Sequence, residues 1–144
     1  MREPIDGRCH CGTVTFRVVL NDGLASAMRC NCSYCRMRGA VAVTARLDDV
    51  TILSGAESLT LYEFNTRTAK HYFCRICGIH TFHQRRSNPG EYGVNLACLA
   101  GMSPFDLAEV TVTDGVHHTS DSEDGKKRVV GVLRFMAGKT SPCV

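Results

Sequence analysis

Between residues 13 and 20 every second side chain is apolar: Val14, Phe16, Val18 and Leu20 share one face, which predicts a strand. Asn21-Asp22-Gly23 follows as a hairpin-type turn, and residues 25–29 return as a strand that delivers Cys30. Residues 32–38 read as a single helical turn stopped by Gly39. Strand-like stretches come next at 40–46, 50–53 and 59–64, separated by turns at Leu47-Asp48-Asp49 and Ser54-Gly55-Ala56-Glu57. His71-Tyr72-Phe73 leads into Cys74, and residues 79–83 and 92–99 read as strands on either side of the Ser87-Asn88-Pro89-Gly90 turn. Residues 110–113 give a last strand, and 121–128 a charged loop. Beyond it Val129, Val132, Leu133 and Met136 fall at i, i+3, i+4 and i+7, which predicts a short C-terminal helix before Gly138. Short strands with closely spaced turns predict an all-β fold, one domain over residues 1–144, without internal repeats or linkers.

Composition changes this picture mainly through its nine cysteines, too many for packing alone. Residues 1–7 contain no apolar signal core, and no apolar run approaches the ~20 residues of a membrane span. The expectation is therefore a reducing, cytoplasmic setting in which thiolates hold metal rather than forming disulfides. The formal charge of +3 comes with no long Lys/Arg run. Two zinc ions on seven thiolates would bring the net charge to about zero, so neither nucleic acid nor a membrane is an expected partner.

Seven of the thiols cluster as Cys9-His10-Cys11, Cys30-Asn31-Cys32-Ser33-Tyr34-Cys35 and Cys74-Arg75-Ile76-Cys77, which divide into four plus three. Cys9, Cys11, Cys74 and Cys77 form a closed, four-thiolate structural set across a 62-residue gap. Closing that loop costs roughly 4 kcal/mol of chain entropy. Structural zinc supplies on the order of 10–16 kcal/mol, so the metal prevails. Cys30, Cys32 and Cys35 sit on one turn and can converge on a second ion with one tetrahedral position left over. A protein ligand for that position would come from His10, His71, His80, His83 or Cys98. His80 and His83, three apart on a strand, are expected on opposite faces. Cys98 reads as a small core residue, His117-His118 as a solvated turn, and Cys143 as exposed.

In order, Gly7-x-Cys9-x-Cys11-Gly12-x-Val14, Cys30-x-Cys32-x-x-Cys35-Arg36 and Phe73-Cys74-x-x-Cys77-Gly78 resemble the glutathione-dependent formaldehyde-activating enzyme family. That family includes S-(hydroxymethyl)glutathione synthase and centromere protein V. The resemblance spans about residues 5–113, and the tract 80–99 looks closer to the centromere protein V branch. It implies a β-tent fold pinned by two zinc ions. It also implies structural Cys9, Cys11, Cys74 and Cys77 beside catalytic Cys30, Cys32 and Cys35. The implied reaction is reversible carbon–sulfur bond formation between glutathione and formaldehyde, a lyase chemistry. Two positions depart from the family pattern: Asn31, where His is frequent, and Arg38-Gly39-Ala40, where a Ser/Thr-Gly pair is frequent.

On this reading a thiol entering the open position is deprotonated there, and the fourth sulfur adds a negative charge that calls for cations. Arg29, Arg36 and Arg38 flank the cluster and are the candidates for neutralising it and for holding glutathione carboxylates; Arg85-Arg86 is a further anion-site candidate. Two other readings compete. In one the domain is a zinc-stabilised interaction module whose second site is filled by a protein side chain. In the other Cys30, Cys32 and Cys35 form a redox sensor that releases zinc on oxidation.

Overall fold

Phe16 meets Phe82 edge-on with ring centroids 5.4 Å apart, and this contact joins the two sheets of the protein. The structure is a computed structural model describing residues 2–139; Cys143 lies outside the described residues. In chain order the strands are β1 (Ile5–Arg8), β2 (Thr15–Val18) and β3 (Met28–Cys30), followed by the one α-helix among the described residues, α1 (Ser33–Arg38). Then come β4 (Ala42–Arg46), β5 (Val50–Ser54), β6 (Leu59–Tyr62), β7 (Lys70–Cys74) and β8 (His80–Gln84). The chain continues through β9 (Glu91–Asn95), β10 (Glu109–Thr113) and β11 (Val129–Arg134). The all-β expectation holds.

One sheet has the order β1-β2-β5 and the other β11-β10-β3-β4-β9-β8-β7-β6. All pairings are antiparallel except β10 with β3. The buried face of β2 supplies Phe16 and Val18, which pack with Val43, Phe82, Val94, Leu96 and Leu99 into the main core. Burial at this density is worth ~25 cal/mol per Å² of apolar surface and is what fixes β2 against the larger sheet. No helix among the described residues is long and apolar enough to cross a membrane.

Several sequence expectations are corrected. The C-terminal segment is strand β11, not a helix: Val129, Val130 and Val132 favour extended backbone, and the edge of β10 offers antiparallel pairing from Glu109↔Arg134 to Thr113↔Val129. β2 and β3 do not form the hairpin that Asn21-Asp22-Gly23 predicts. Residues Gly23–Ser26 make a 3-10 turn, after which β3 joins the other sheet. The predicted strand 92–99 ends at Asn95, whose side chain accepts from the Ala97 amide and starts a 3-10 turn over Leu96–Cys98. β1 escaped prediction because Gly7 interrupts its alternation; the Phe16 ring covers Gly7 so closely that a Cβ there would overlap it.

Candidate functional site

Cys9 and Cys11 lie between β1 and β2, and Cys74 closes β7 with Cys77 three residues on. The four sulfurs all lie within 4.8 Å of one another. Cys9 and Cys74 are fully buried. Each knuckle ends in a left-handed glycine, Gly12 at φ 79° and Gly78 at φ 78°, which lets the backbone fold back under the thiols. Amides point at the sulfurs: Val14 donates to Cys9 Sγ at 3.3 Å and Ile76 to Cys74 Sγ at 3.4 Å. Sulfurs ~2.3 Å from a tetrahedral zinc stand about 3.8 Å apart. Cys9 to Cys11 is 3.6 Å and Cys11 to Cys74 is 3.8 Å, so this donor set fits such an ion.

Cys30 ends β3 and Cys32 caps α1, its sulfur accepting the Cys35 amide at 3.3 Å, while the Cys32 amide donates to Cys30 Sγ at 3.4 Å. The helix ends at Gly39, as expected from the sequence. These three sulfurs also lie within 4.8 Å of one another, and among the described residues none of His10, His71, His80, His83 or Cys98 joins them. Hydrogen bonds among the neighbouring thiols pull the Cys32 thiol well below its usual range and push Cys35 up.

The cluster opens on a cavity of about 420 Å³ lined by Cys30, Cys32, Cys35, Arg38, His71 and Arg85, among others. Arg36 also lines it, whereas Arg29 does not and lies instead alongside Gly39. Arg38 is the arginine that reaches the thiols. Its Nη2 donates to Cys35 Sγ at 3.5 Å and its Nη1 to His71 Nδ1 at 2.9 Å, with the guanidinium over the Tyr34 ring. Because a guanidinium only donates, His71 Nδ1 is the acceptor and the ring is neutral with its proton on Nε2. Burial first, and the Arg38 charge second, bring His71 down to about 4.

Behind His71 lie His80 and His83. Their rings are 5.7 Å apart, and His83 stacks on His71 at 5.1 Å. The expectation that His80 and His83 face opposite ways is overturned by a bulge in β8. Tyr72 pairs with Phe82 but Phe73 pairs with His80, so Thr81 is the extra residue and the two histidines return to one side. Both are held neutral by burial. Cys98 is buried as expected, donating to the His80 carbonyl at 3.5 Å. His117 is exposed, but His118, expected in solvent, lines the cavity.

Asn31 accepts from the amides of Gly115 and Val116 at 2.7 and 3.3 Å, fastening the loop after β10 across the thiols. No sequence signal marked Gly115, because its role comes from the parallel β3–β10 pairing. Arg85 is the other residue the sequence underweighted: it is 6% exposed, lines the cavity, and leaves Nε and Nη2 without partners.

The fold and these clusters define a class: an all-β domain carrying two cysteine groups with metal-ligand chemistry, the second facing a cation-rich cavity. Within that class, the family model for the glutathione-dependent formaldehyde-activating enzyme matches residues 4–113, and the chain belongs to that family. A Penicillium rubens protein called "Putative glutathione-dependent formaldehyde-activating enzyme" is 32% identical over 80 residues, 52% of this chain and 41% of that protein. A Halomonas elongata protein of the same name is 35% identical over 81 residues, covering 51% of each chain. The matches therefore span about half of these relatives or less. A crystal structure of a Rhodobacter sphaeroides protein superposes with a TM-score of 0.74 at 63% identity, over 75% of this chain and 99% of that one.

Proposed function

We propose that this protein is a zinc-dependent carbon–sulfur lyase acting on adducts of glutathione with formaldehyde or a similar small aldehyde. The observation that carries the reading is the three-thiol set of Cys30, Cys32 and Cys35, which no fourth protein ligand completes among the described residues and which faces the cavity. The names of the family and of its relatives support glutathione and formaldehyde as the reactants. Zinc on three thiolates, when bound, supplies a position at which a substrate thiol is deprotonated at neutral pH.

The chain's own groups supply the rest. Arg38 sits against Cys35 and offsets the negative charge that a fourth sulfur brings. Arg36 lines the same cavity and is placed to hold a carboxylate, whereas Arg29 lies outside it. In the addition a C–S bond forms, the carbonyl C=O becomes C–OH, and the thiol proton ends on that oxygen, so nothing else is consumed. His71, neutral and carrying its proton on Nε2, lines the cavity and is available to donate a hydrogen bond from Nε2 to the developing alkoxide.

Calorimetry of the zinc-loaded protein tests the reading. Glutathione should bind and release a proton, so its affinity should weaken as pH falls. S-methylglutathione keeps both carboxylates and loses the ionisable thiol, so its binding should be lost. Equal affinity for the two would remove the sulfur from the metal and with it the lyase assignment. A protein side chain in the fourth position would favour an interaction module instead, and the open geometry speaks against that.

A further inference from the structure

Among the cavity's cations, one is buried without an anion. Arg85 leaves β8 beside β9 and is 94% buried, given its 6% exposure. Its Nε and Nη2 have no hydrogen-bond partner, and its Nη1 reaches only the Met28 thioether at 3.9 Å. Glu91 is the group whose charge acts on it most, followed by the Cys35 and Cys30 thiols, yet among the described residues it forms no ion pair with Glu91 and no hydrogen bond to either sulfur. Lys127, at the rim, also ends on Met28 Sδ, at 3.7 Å. Two like charges thus meet at one thioether, less than about 8 Å apart, and the one carboxylate lining the cavity, Asp114, pairs with His117 instead. By contrast, Arg86 next door is taken by Asp121 and Arg128 by Asp124.

A buried, unpaired guanidinium opposes folding, so its presence in a cavity calls for a ligand that supplies the missing charge. We infer that Arg85 and Lys127 form the carboxylate-binding end of the thiol-substrate site, with Met28 as its floor; this rests on the glutathione reading above. The spacing fits. Met28 and Cys30 are two apart on β3, both line the cavity, and side chains two apart on a strand share a face about 6.6 Å from one another. An extended chain covers ~3.3–3.6 Å per residue, so a cysteinyl-glycine unit with its sulfur near Cys30 places its carboxylate about 7 Å away, over Met28. A planar carboxylate matches the free Nε–Nη2 edge of the guanidinium bidentately. Arg85 is then a binding and specificity residue that separates glutathione from small uncharged thiols.

The test is calorimetry of zinc-loaded wild type, Arg85→Met and Lys127→Met with glutathione and with glutathione diethyl ester. The ester keeps the thiol and removes both negative charges. Arg85→Met should weaken glutathione at least tenfold and leave the ester within twofold of wild type. Lys127→Met should act in the same direction by a smaller factor. The thermal midpoint of Arg85→Met should equal or exceed that of wild type, because an unpaired buried charge is replaced by an apolar side chain of similar length. If Arg85→Met lowers ester and glutathione affinity alike, or leaves both unchanged, the inference fails while the thiol reading stands. If neither compound binds wild type, both fail. Should Arg85→Met not fold, the stability argument is overturned, and Lys127→Met must still discriminate between the two compounds for the carboxylate assignment to survive.

Discussion

Asn31 Oδ1 accepts the Gly115 amide proton at 2.7 Å, and the same glycine lies so close to Cys30 that a Cβ on it would overlap the sulfur and come within 2.7 Å of Cys32 Cβ. The side chain at position 31 therefore seats the loop after β10 on the thiol cluster, which gives Asn31 a structural task of its own. Gly115→Ala should keep the fold, since the loop is peripheral to the Phe16–Phe82 core, but displace Cys30 from its two partners. Metal analysis of the dialysed variant should give one zinc fewer per chain than wild type. Unchanged loading would mean the loop yields freely and does not shape the site. Asn31→Ala should cost about 1–2 kcal/mol in denaturant unfolding, because two amides lose their acceptor.

Wild type prepared under reducing conditions with zinc in excess should hold two ions per chain. The measurement is metal content of folded, monodisperse protein. A value of one or none would overturn the four-plus-three partition of the seven clustered thiols.

The two clusters should respond differently to the same substitution. Cys74 is fully buried and ties β7 to the segment between β1 and β2, joining distant parts of the chain. A domain's net stability is about 5–15 kcal/mol, comparable to what one structural zinc contributes, so Cys74→Ser should leave the chain unfolded or insoluble. Cys30, Cys32 and Cys35 lie within six residues of sequence and cross-link little. Cys32→Ser should therefore remain folded by circular dichroism and lose only the second ion. Equal damage from both would make the second cluster structural.

His71 should impose an acid limit on stability. Its folded value of about 4 lies below the ordinary 6.5, so the unfolded chain takes up the proton first as pH falls. The stabilisation is complete above about pH 6.5 and is lost progressively toward pH 4. His71→Phe keeps a ring against Tyr34 and His83 and removes the titration. Over that interval wild type should lose on the order of 2 kcal/mol more stability than the variant. Acid displacement of metal is common to both proteins and cancels in the difference. Parallel pH profiles would show that His71 does not carry the acid sensitivity.

The thiol partition and the all-β class were legible in the residues alone. Cysteine spacings of one and two residues are local, and so is the alternation that makes β2 and β10 strands. α1 was equally legible, from Cys32 to its stop at Gly39. The remaining features depend on contacts between segments. The edge of β10 turned a helically spaced C-terminus into β11, because β-branched residues with an open ladder beside them gain more from pairing than from a short helix. A single extra residue, Thr81, brought His80 and His83 to one side, and a bulge shows only against the partner strand. The parallel β3–β10 pairing set Gly115 on Cys30 across 85 residues of chain. Of five cavity cations, only their surroundings singled out Arg38, which meets Cys35 and His71, and Arg85, which meets no anion. Charge and residue type are written in the sequence, but whether a charge is paired depends on what the fold brings next to it.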